Sequence, residues 1–412
     1  MKTKMKRKYT AVEKRENRQL YLLMLPVFIL IAVFCYAPMF GIVIAFQDYW
    51  PGDPFFGDGA MWVGLDNFKR FVQGEYFGRL IKNTLVLSGL NLIFGFTMPI
   101  IFAILLDQIK HLRFKKFCQT ASYMPYFIST VVVAGMVISF IDVNGLITKL
   151  LTIVGLPNIN WRQEPSSFPT IYTFTNVWKL FGFNSILYMS TISSIDQGLY
   201  EAAKIDGANR WQQCWHVTLS GIKPIIAINL IMQVGSILST NSDLILLLYT
   251  PATYDVADVI GTYTYRMGIL NGEYSFTTAA GLFMSVIGFA LTYICNKISN
   301  KLRSVVRRSE MSKRNPNKIK EGKTIYTVLV YVAVAFLCFL AVYPMYYVLI
   351  MSLSSPENAA QMNVYVIPKG FCVDAYKVLV QDPEMWRAYL NTIIYVIPTT
   401  ILMLATCVLV AY

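Results

Sequence analysis

The sequence predicts an all-α integral membrane protein. Of its 412 residues, 55% are apolar and 14% are charged, whereas soluble domains usually carry about 25% charged residues. Eight largely apolar stretches are each long enough to cross a bilayer, which takes roughly 20 helical residues. These features exclude a disordered chain and an ordinary soluble enzyme.

The eight predicted spans are separated by polar loops. They cover approximately residues 20–46, 83–106, 117–141, 169–194, 224–249, 274–295, 324–350 and 388–412. The first, third and seventh contain no charged residue at all. The first span is much longer than the hydrophobic region of a signal peptide, about 7–15 residues, and no small-residue cleavage site follows it. We therefore favour an uncleaved span over a signal peptide.

The distribution of basic residues predicts the orientation. The chain has 36 Lys and Arg against 23 Asp and Glu, a net charge of +13. One alternate set of loops holds 25 of the basic residues and the other set holds 10, with Lys179 inside a span. Because basic loops stay in the cytoplasm, we expect a cytoplasmic N-terminus. This distribution makes nucleic-acid binding the weaker explanation, and we expect no nucleic-acid partner.

No cofactor or metal site is predicted. Seven cysteines are scattered without a CxxC pair, and the two histidines, His111 and His216, are far apart. Residues Gly322-Lys323-Thr324 end like a phosphate-binding loop, but Asn317 stands where the first glycine should be. If ATP is used, we expect another chain to hydrolyse it.

The chain repeats itself at an offset of 308 residues. Segment 68–84 aligns without a gap with segment 376–392, and both lead into a predicted span. The identical pairs are Lys69/Lys377, Val72/Val380, Gln73/Gln381, Arg79/Arg387, Asn83/Asn391 and Thr84/Thr392. Generic amphipathic similarity at a membrane entry is the alternative to a true repeat.

The repeat suggests two homologous membrane units. The expected organisation is a basic tail at 1–19, a complete six-span unit at 20–300, a basic linker at 301–323 and two spans of a second unit at 324–412. Met311 is placed like an initiator. A natural fusion and an artefact of gene prediction or construction both remain open.

The cytoplasmic loop between the fourth and fifth spans carries a compact motif. Small residues permit close helix approach, glycine permits a tight turn, and an acid can pair across an interface. The motif consists of Glu201, Ala202, Ala203, Lys204, Ile205, Asp206, Gly207 and Ala208, with Val217 and Leu219 further on. In this spacing it resembles the EAA motif of bacterial ABC-transporter permeases. Ser220 departs from the family's usual proline, and Pro224 is a candidate for the end of the loop.

The resemblance implies a role for this loop. In the family it forms a helix-turn-helix called the coupling helix, which docks on a separate ATPase. The residues that would form this surface are Glu201, Ala202, Ala203, Asp206, Gly207 and Ala208. The alternative is an amphipathic interfacial helix followed by an incidental Asp-Gly turn.

Further segments resemble one branch of sugar ABC importers. They lie at 64–71, 122–130, 246–268 and 271–283, and they are similar to the large membrane subunit of the maltose importer. The resemblance implies a type I ABC-importer transmembrane domain of six helices, followed by two helices of a second, incomplete permease. The implied partners are an ABC ATPase dimer, a companion permease, an extracellular sugar-binding lipoprotein or periplasmic binding protein, a sugar and the bacterial cell membrane. We expect transport to require the companion.

Polar residues in two spans suggest a substrate path. On the fifth span they recur at intervals of four and three residues, along one face of a helix: Asn229, Gln233, Ser236, Thr240 and Asp243. The fourth span contributes Asn176, Trp178, Lys179, Phe183 and Asn184. We expect Gln233 and Ser236, near the middle, to be the best sugar contacts. There are two alternatives to a substrate path. The polar residues could form interhelical hydrogen bonds that only join the bundle, and Lys179 could pair with Asp243 for a purely structural purpose.

Two other classes of function compete with an importer subunit. An ion-coupled secondary transporter should show inverted repeats and buried carboxylates, whereas this repeat is parallel and the spans hold few acids. A membrane enzyme should show a nucleophile, base or metal cluster, and none is apparent in the sequence. We therefore expect no enzymatic activity in the chain itself.

Overall fold

The computed structural model describes residues 11–238, 240–309 and 324–411, and nearly all of them are helical. The single extended pairing in these ranges is a bridge between Gln47 and Trp62. The all-α prediction is confirmed. Met311, most of the predicted linker 301–323 and the start of the basic tail lie outside the described residues.

Helices follow one another along the described chain. The first nine are α1 (Ala11–Ile31), α2 (Asp66–Val72), α3 (Phe77–Asp107), α4 (Leu112–Tyr123), α5 (Thr130–Ile141), α6 (Leu146–Ile153), α7 (Phe168–Ser193), α8 (Gln197–Ile205) and α9 (Arg210–Gln213). The remainder are α10 (Leu219–Gly235), α11 (Ser242–Leu248), α12 (Tyr254–Ala257), α13 (Ile260–Tyr265), α14 (Tyr274–Ser309), α15 (Thr324–Ser352), α16 (Pro356–Ala360), α17 (Asp374–Gln381) and α18 (Pro383–Ala411). Helix α1 continues as a π-helical turn and a 3-10 helix to Phe46.

Seven helical stretches in the described ranges are long and apolar enough to cross a membrane. They are Met24–Phe46, Phe77–Asp107, Thr130–Ile153, Arg210–Gly235, Tyr274–Lys297, Tyr326–Ser352 and Pro383–Val408. The fourth predicted span is α7, which has sufficient length at 26 residues. It falls outside the seven because polar residues interrupt its apolar ones, including the predicted path residues Asn176 and Lys179.

Two predicted spans are not single helices. The third, 117–141, breaks between α4 and α5, where Ile128 is extended and the Ser129 side chain caps α5 by accepting from the Val132 amide. The fifth, 224–249, breaks after Gly235, and Asn241 caps α11 by accepting from the Leu244 amide at 3.3 Å. Each cap satisfies one of the free amides at the start of the new helix.

The chain forms two compact units, Leu65–Cys372 and Met1–Gly64 together with Val373–Tyr412. In the larger unit, α3 and α7 lie side by side, and the Phe102 and Phe181 rings meet edge to face at 5.1 Å. Helix α7 also approaches α4 so closely that a Cβ at Gly182 would collide with the Ser122 carbonyl oxygen. Glycine is therefore required at this crossing.

Helix α15 packs inside the larger unit. The indole of Trp178 donates to the Leu340 carbonyl at 2.8 Å, and the Tyr331 ring stacks on Phe114 at 5.6 Å. The thiol of Cys338 reaches the Cys118 carbonyl at 3.7 Å. The seventh predicted span thus shares a core with the helices that precede the predicted linker. The division into two homologous permease units stays a prediction.

The smaller unit contains the second copy of the repeat. Helix α17 begins at Asp374, 308 residues after α2 begins at Asp66. Each short helix carries the same internal ion pair, Asp66–Lys69 at 2.9 Å and Asp374–Lys377 at 2.8 Å. Each is followed by a long apolar helix, α3 in one case and α18 in the other. The local structure therefore repeats along with the sequence.

Candidate functional site

The motif 201–208 forms a helix and a tight turn. The Asp196 carboxylate begins α8 by accepting from the Gly198 amide at 3.0 Å. At the other end, the Ala208 amide donates to the Ala203 carbonyl at 2.8 Å, and the Gly207 amide donates to the Lys204 carbonyl at 3.0 Å. This is a Schellman ending, which needs a left-handed residue. Gly207 provides it with a φ of +80°.

A second helix follows at once. Asn209 and Gln212 form a reciprocal capping box, with both hydrogen bonds at 2.9 Å. From Arg210 the chain stays helical through a π-helical turn at Cys214–Thr218 and on into α10. The motif is therefore a helix-turn-helix. Pro224 does not end the loop, because the capping box starts the helix earlier and places this proline inside α10.

The outer surface of this helix-turn-helix combines acidic and apolar side chains. Glu201, Ala202 and Asp206 are exposed, whereas Ala203, Gly207 and Ala208 are half-buried. Ile205 is 86% exposed and Leu199 is 55% exposed, although neither lies in a predicted span. Both side chains are available to a partner.

The inner side of α8 is anchored to the second helix. The Tyr200 hydroxyl shares a hydrogen bond of 2.9 Å with the Thr218 hydroxyl. Burial raises the pKa of Tyr200 above its ordinary value, with a smaller opposing effect of the Thr218 hydrogen bond. Beside it lies a cavity of about 530 Å³, whose charged lining residues are Asp107, Lys110, Lys204 and Arg210. The loop is thus hydrogen-bonded to the second helix on its inner side.

A second cavity, of about 270 Å³, lies between α3, α7 and the break in the fifth span. Its lining includes four predicted path residues, Asn176, Gln233, Ser236 and Thr240, together with Asn184. It also includes polar residues that the sequence analysis missed: Ser88, Asn91 and Asn241. None of the residues that line it is charged.

Three of the lining amides form a chain. The Asn241 side chain donates to the Asn176 side-chain oxygen at 3.2 Å, and Asn176 donates to Asn91 at 3.1 Å. The buried Tyr172 hydroxyl accepts from the Asn241 backbone amide at 3.0 Å. These bonds orient the amides, as a preorganised polar site requires. Asn91 was detectable in principle, as an amide within an apolar span.

The remaining predicted path residues lie elsewhere. Because α10 ends at Gly235, the fifth-span residues do not share one helix face as predicted. Asp243 lies exposed in the first turn of α11, and Asn229 lies beside the Tyr188 hydroxyl. Neither belongs to the lining of the cavity.

Lys179 and Phe183 also make contacts outside the cavity. The Lys179 ammonium donates to the Thr130 hydroxyl at 2.7 Å, and no Lys179–Asp243 pair occurs among the described residues. The Phe183 ring stacks on Tyr126 at 3.7 Å with nearly parallel planes. Both side chains therefore link α7 to the break in the third predicted span.

A buried carboxylate organises the segment between α12 and α13. Asp258 is fully buried, and it pairs with Arg266 at 2.6 Å and accepts from the Thr262 hydroxyl at 2.8 Å. Burial lowers the pKa of Arg266, but the Asp258 carboxylate outweighs this effect and holds that pKa above its ordinary value. The Asn83 amide donates to the carbonyls of Asp255 and Asp258, both at 3.0 Å.

No group of three potential metal ligands occurs in the described part of the chain. The architecture consists of long membrane-length helices, a polar cavity at the break in the fifth span, and a helix-turn-helix outside the spans. These features define a multi-span membrane transport protein. The chain belongs to the family described as binding-protein-dependent transport system inner membrane component, whose model matches residues 95–304.

Curated relatives agree with this family. The polygalacturonan/rhamnogalacturonan transport system permease protein YteP of Bacillus subtilis is 39% identical over 300 residues, or 72% of this chain and 92% of the relative. Protein LplB of Bacillus subtilis is 37% identical over 70% of this chain and 90% of its own length. The arabinooligosaccharides transport system permease protein AraP of Halalkalibacterium halodurans is 27% identical over 66% of this chain and 84% of its own length.

Solved structures show the same fold. A chain of a bacterial ABC transporter involved in the import of the acidic polysaccharide alginate is 40% identical, with a TM-score of 0.64. The similarity covers 70% of this chain and 96% of that chain. The same values hold for the bacterial alginate ABC transporter in complex with an alginate pentasaccharide-bound periplasmic protein. The predicted membership in the sugar ABC-permease family is confirmed.

Proposed function

We propose that the chain is the membrane permease subunit of an ABC importer that moves a sugar or oligosaccharide. The observation that carries this proposal is the helix-turn-helix formed by α8 and α9, which has the EAA spacing and exposes Glu201. The family of the chain and the transport roles of its relatives support the same proposal.

The helix-turn-helix would dock on the ATPase dimer. Ile205 and Leu199 provide apolar contact area at its tip, and Glu201 provides a charge that can pair with a basic residue of the partner. The Schellman turn at Gly207 keeps these side chains in a fixed arrangement. ATP hydrolysis would take place in the partner.

The uncharged cavity would form part of the substrate path. Its lining offers amides and hydroxyls, which both donate and accept hydrogen bonds and so match the hydroxyl groups of a sugar. A volume of about 270 Å³ is at the lower limit of small-molecule sites. The cavity would therefore hold only part of an oligosaccharide at any one time. Gln233 and Ser236, at the end of α10, are the proposed central contacts.

The proposed orientation follows the basic loops. The N-terminus and the α8–α9 loop would face the cytoplasm, and a sugar-binding protein would deliver the substrate from outside. A companion permease would complete the path. A Glu201→Cys substitution tests the orientation: in intact cells an impermeant thiol reagent should leave it unlabelled, while an Asp53→Cys control outside the cell should react. Ready labelling of position 201 would contradict the proposal.

Coupling is tested with Glu201→Ala and Ile205→Ser in the full importer. ATP-driven sugar uptake and co-purification of the ATPase should both fall at least about tenfold, since the interface loses charge or apolar area. Membrane insertion should be unaffected, because the loop lies outside the spans. Glu75→Ala is the matched control, an exposed acid in the loop before α3. Normal ATPase association in both loop variants would refute the coupling role and leave an ion-coupled transporter to be considered.

The path is tested with Gln233→Leu against Asn229→Leu. Both residues are amides of α10, but the first lines the cavity and the second does not. Uptake should fall about tenfold or more with Gln233→Leu, because the sugar loses a hydrogen-bonding partner, and change little with Asn229→Leu. Equal effects of the two substitutions would remove the cavity from the proposed path.

A further inference from the structure

Lys179 places a positive charge deep inside a predicted span. Residues 168–178 precede it in α7, so it lies about 16 Å from the nearer end of the helix. A lysine side chain is much shorter than this and does not carry its charge to the membrane surface. An intramembrane lysine is costly unless it is paired or faces water, and such residues commonly mark a substrate path.

The hydrogen bonds of this ammonium group leave donors for a ligand. An ammonium has three donors, and among the described residues only the Thr130 hydroxyl accepts from that of Lys179. In the same part of the chain no carboxylate forms an ion pair with it. The side chain is half-buried, so it is not sealed off from a ligand. Two donors and an uncompensated charge are therefore available at this point of the span.

A cluster of three aromatic rings lies beside the lysine. The Phe183 ring stacks on Tyr126, and the Phe127 ring meets both of them edge to face, at 5.4 Å from Tyr126 and 6.2 Å from Phe183. Tyr126 and Phe127 are exposed. Phe183 is four residues from Lys179, so their side chains are neighbours on the helix surface. The faces of aromatic rings carry partial negative charge, which attracts the C–H groups of a sugar ring.

This lysine and the three-ring cluster border the uncharged cavity. Asn176, Leu180 and Asn184 of the same stretch of α7 line that cavity. Lys179 is three residues from Asn176, and Phe183 is two helical turns from it, so both side chains lie next to the cavity lining. A sugar chain that fills the cavity would therefore extend towards the ammonium group.

We propose that Lys179 and the three-ring cluster form a subsite for an acidic sugar, in which the ammonium group binds the carboxylate of a uronic acid unit. The adjoining unit of the oligosaccharide would occupy the cavity and hydrogen-bond to its amides. A carboxylate inside a span is very costly without a compensating charge, and the cavity lining contains none. Lys179 would provide that charge. The inference rests on the proposed passage of an oligosaccharide through this cavity.

Direct binding to the importer in lipid nanodiscs tests the inference. The complex contains this chain, its companion and the ATPase, and the sugar-binding protein is left out so that its own specificity does not contribute. The probes are labelled trimers of galacturonate, glucuronate and mannuronate, each compared with its carboxyl-reduced counterpart. For at least one pair the acidic trimer should bind at least about tenfold more tightly. Lys179→Met should abolish this preference by weakening only the acidic trimer, and Lys179→Arg should retain most of it.

Lys82→Met is the matched control. Lys82 is an exposed lysine of α3 that does not line the cavity. Its replacement should leave the preference for the acidic trimer unchanged. Co-purification of the ATPase with every variant shows that the complex is intact.

Three results would overturn the inference: no acidic trimer binds, no acidic trimer binds more tightly than its reduced counterpart, or Lys179→Met leaves the preference in place. The last result is expected if the lysine pairs only with protein. The proposed path is judged separately by Gln233→Leu, which should weaken the acidic and the reduced trimer alike. Weaker binding with Gln233→Leu and an unchanged preference with Lys179→Met would refute only the recognition of the carboxylate.

Discussion

The ammonium group of Lys179 donates a hydrogen bond of 2.7 Å to the hydroxyl of Thr130. Lys179 lies in the middle of α7, and Thr130 is the first residue of α5, directly after the break in the third predicted span. An intramembrane lysine is costly unless it is paired or faces water. This bond therefore ties the most polar membrane helix to an interrupted one.

Removal of the acceptor should destabilise the chain. Thr130→Val leaves the lysine without its hydrogen-bond acceptor. We expect the free energy of unfolding to fall by about 1.5–3 kcal/mol, which is the contribution of a hydrogen bond to a charged group. Adding Lys179→Met should recover part of this loss, because the unpaired charge is removed. Thermal unfolding midpoints in detergent of both single variants and the double variant give the coupling energy. Strictly additive effects would show that the two residues are not coupled.

The left-handed turn in the helix-turn-helix gives a second prediction. Gly207→Ala should raise the free energy of the turn conformation by about 1–2 kcal/mol, because an L-residue is disfavoured at a φ of +80°. We expect weaker ATPase association and normal amounts of protein in the membrane. Gly207→Asn should be milder, since asparagine tolerates this conformation.

Gly281→Ala in α14 is the matched control for that turn. Its Cβ would meet nothing within 4 Å, and its φ is not positive. It should leave ATPase association unchanged. An equal effect of the alanine at both positions would argue against a special role of the turn.

The crossing of α7 and α4 gives a third prediction. Gly182→Ala places a Cβ against the Ser122 backbone carbonyl, which cannot move without shifting α4. Overpacking of this kind costs about 1–3 kcal/mol or more, so the unfolding midpoint should fall clearly. Gly89→Ala in α3 has open space around its Cβ and should be neutral or slightly stabilising. An unchanged midpoint for Gly182→Ala would mean that α7 and α4 do not approach this closely.

The packing of α15 gives a fourth prediction. The thiol of Cys338 lies 3.7 Å from the Cys118 carbonyl, and both cysteines are buried. The two thiols are also close enough to share a hydrogen bond, so oxidation with copper phenanthroline should link them. Trypsin should then cut the basic stretch 310–323, and the two fragments should migrate together on a gel until a reductant is added.

Cys338→Ser is the control for the cross-link, and its fragments should separate without reductant. Separate fragments in the oxidised wild-type chain would contradict the placement of α15 beside α4.

Composition and the apolar stretches were sufficient to predict the all-helical fold. The spacing of the motif was sufficient to predict the family and the helix-turn-helix, because both can be read along the chain without knowledge of its packing. The two helix breaks were missed for a physical reason. Residues around Ile128 are as apolar as their neighbours, so hydropathy continues through a break that is set by the Ser129 cap. In the fifth span, Ser236 and Thr240 fit the spacing of one helix face, and this spacing concealed the new helix that Asn241 caps.

Contacts between residues that are distant in the sequence could not be predicted from the sequence pattern either. Asn91 and Asn241 are 150 positions apart, and only packing brings both to Asn176. Likewise, nothing in the composition of α15 indicates that Leu340 will receive the Trp178 hydrogen bond. The repeat, in contrast, was visible in the sequence as six identical pairs at one offset.

The unbroken helical stretch Arg210–Gly235 has a mechanical consequence. At 1.5 Å per residue its 26 residues measure about 39 Å. One end is the second half of the helix-turn-helix, and the other carries Gln233 at the cavity. Under the proposed function, a displacement of Arg210 by the ATPase would also displace Gln233, because both residues lie on one continuous helical stretch. A conformational change of the ATPase would thus be transmitted to the sugar site along a single continuous helix.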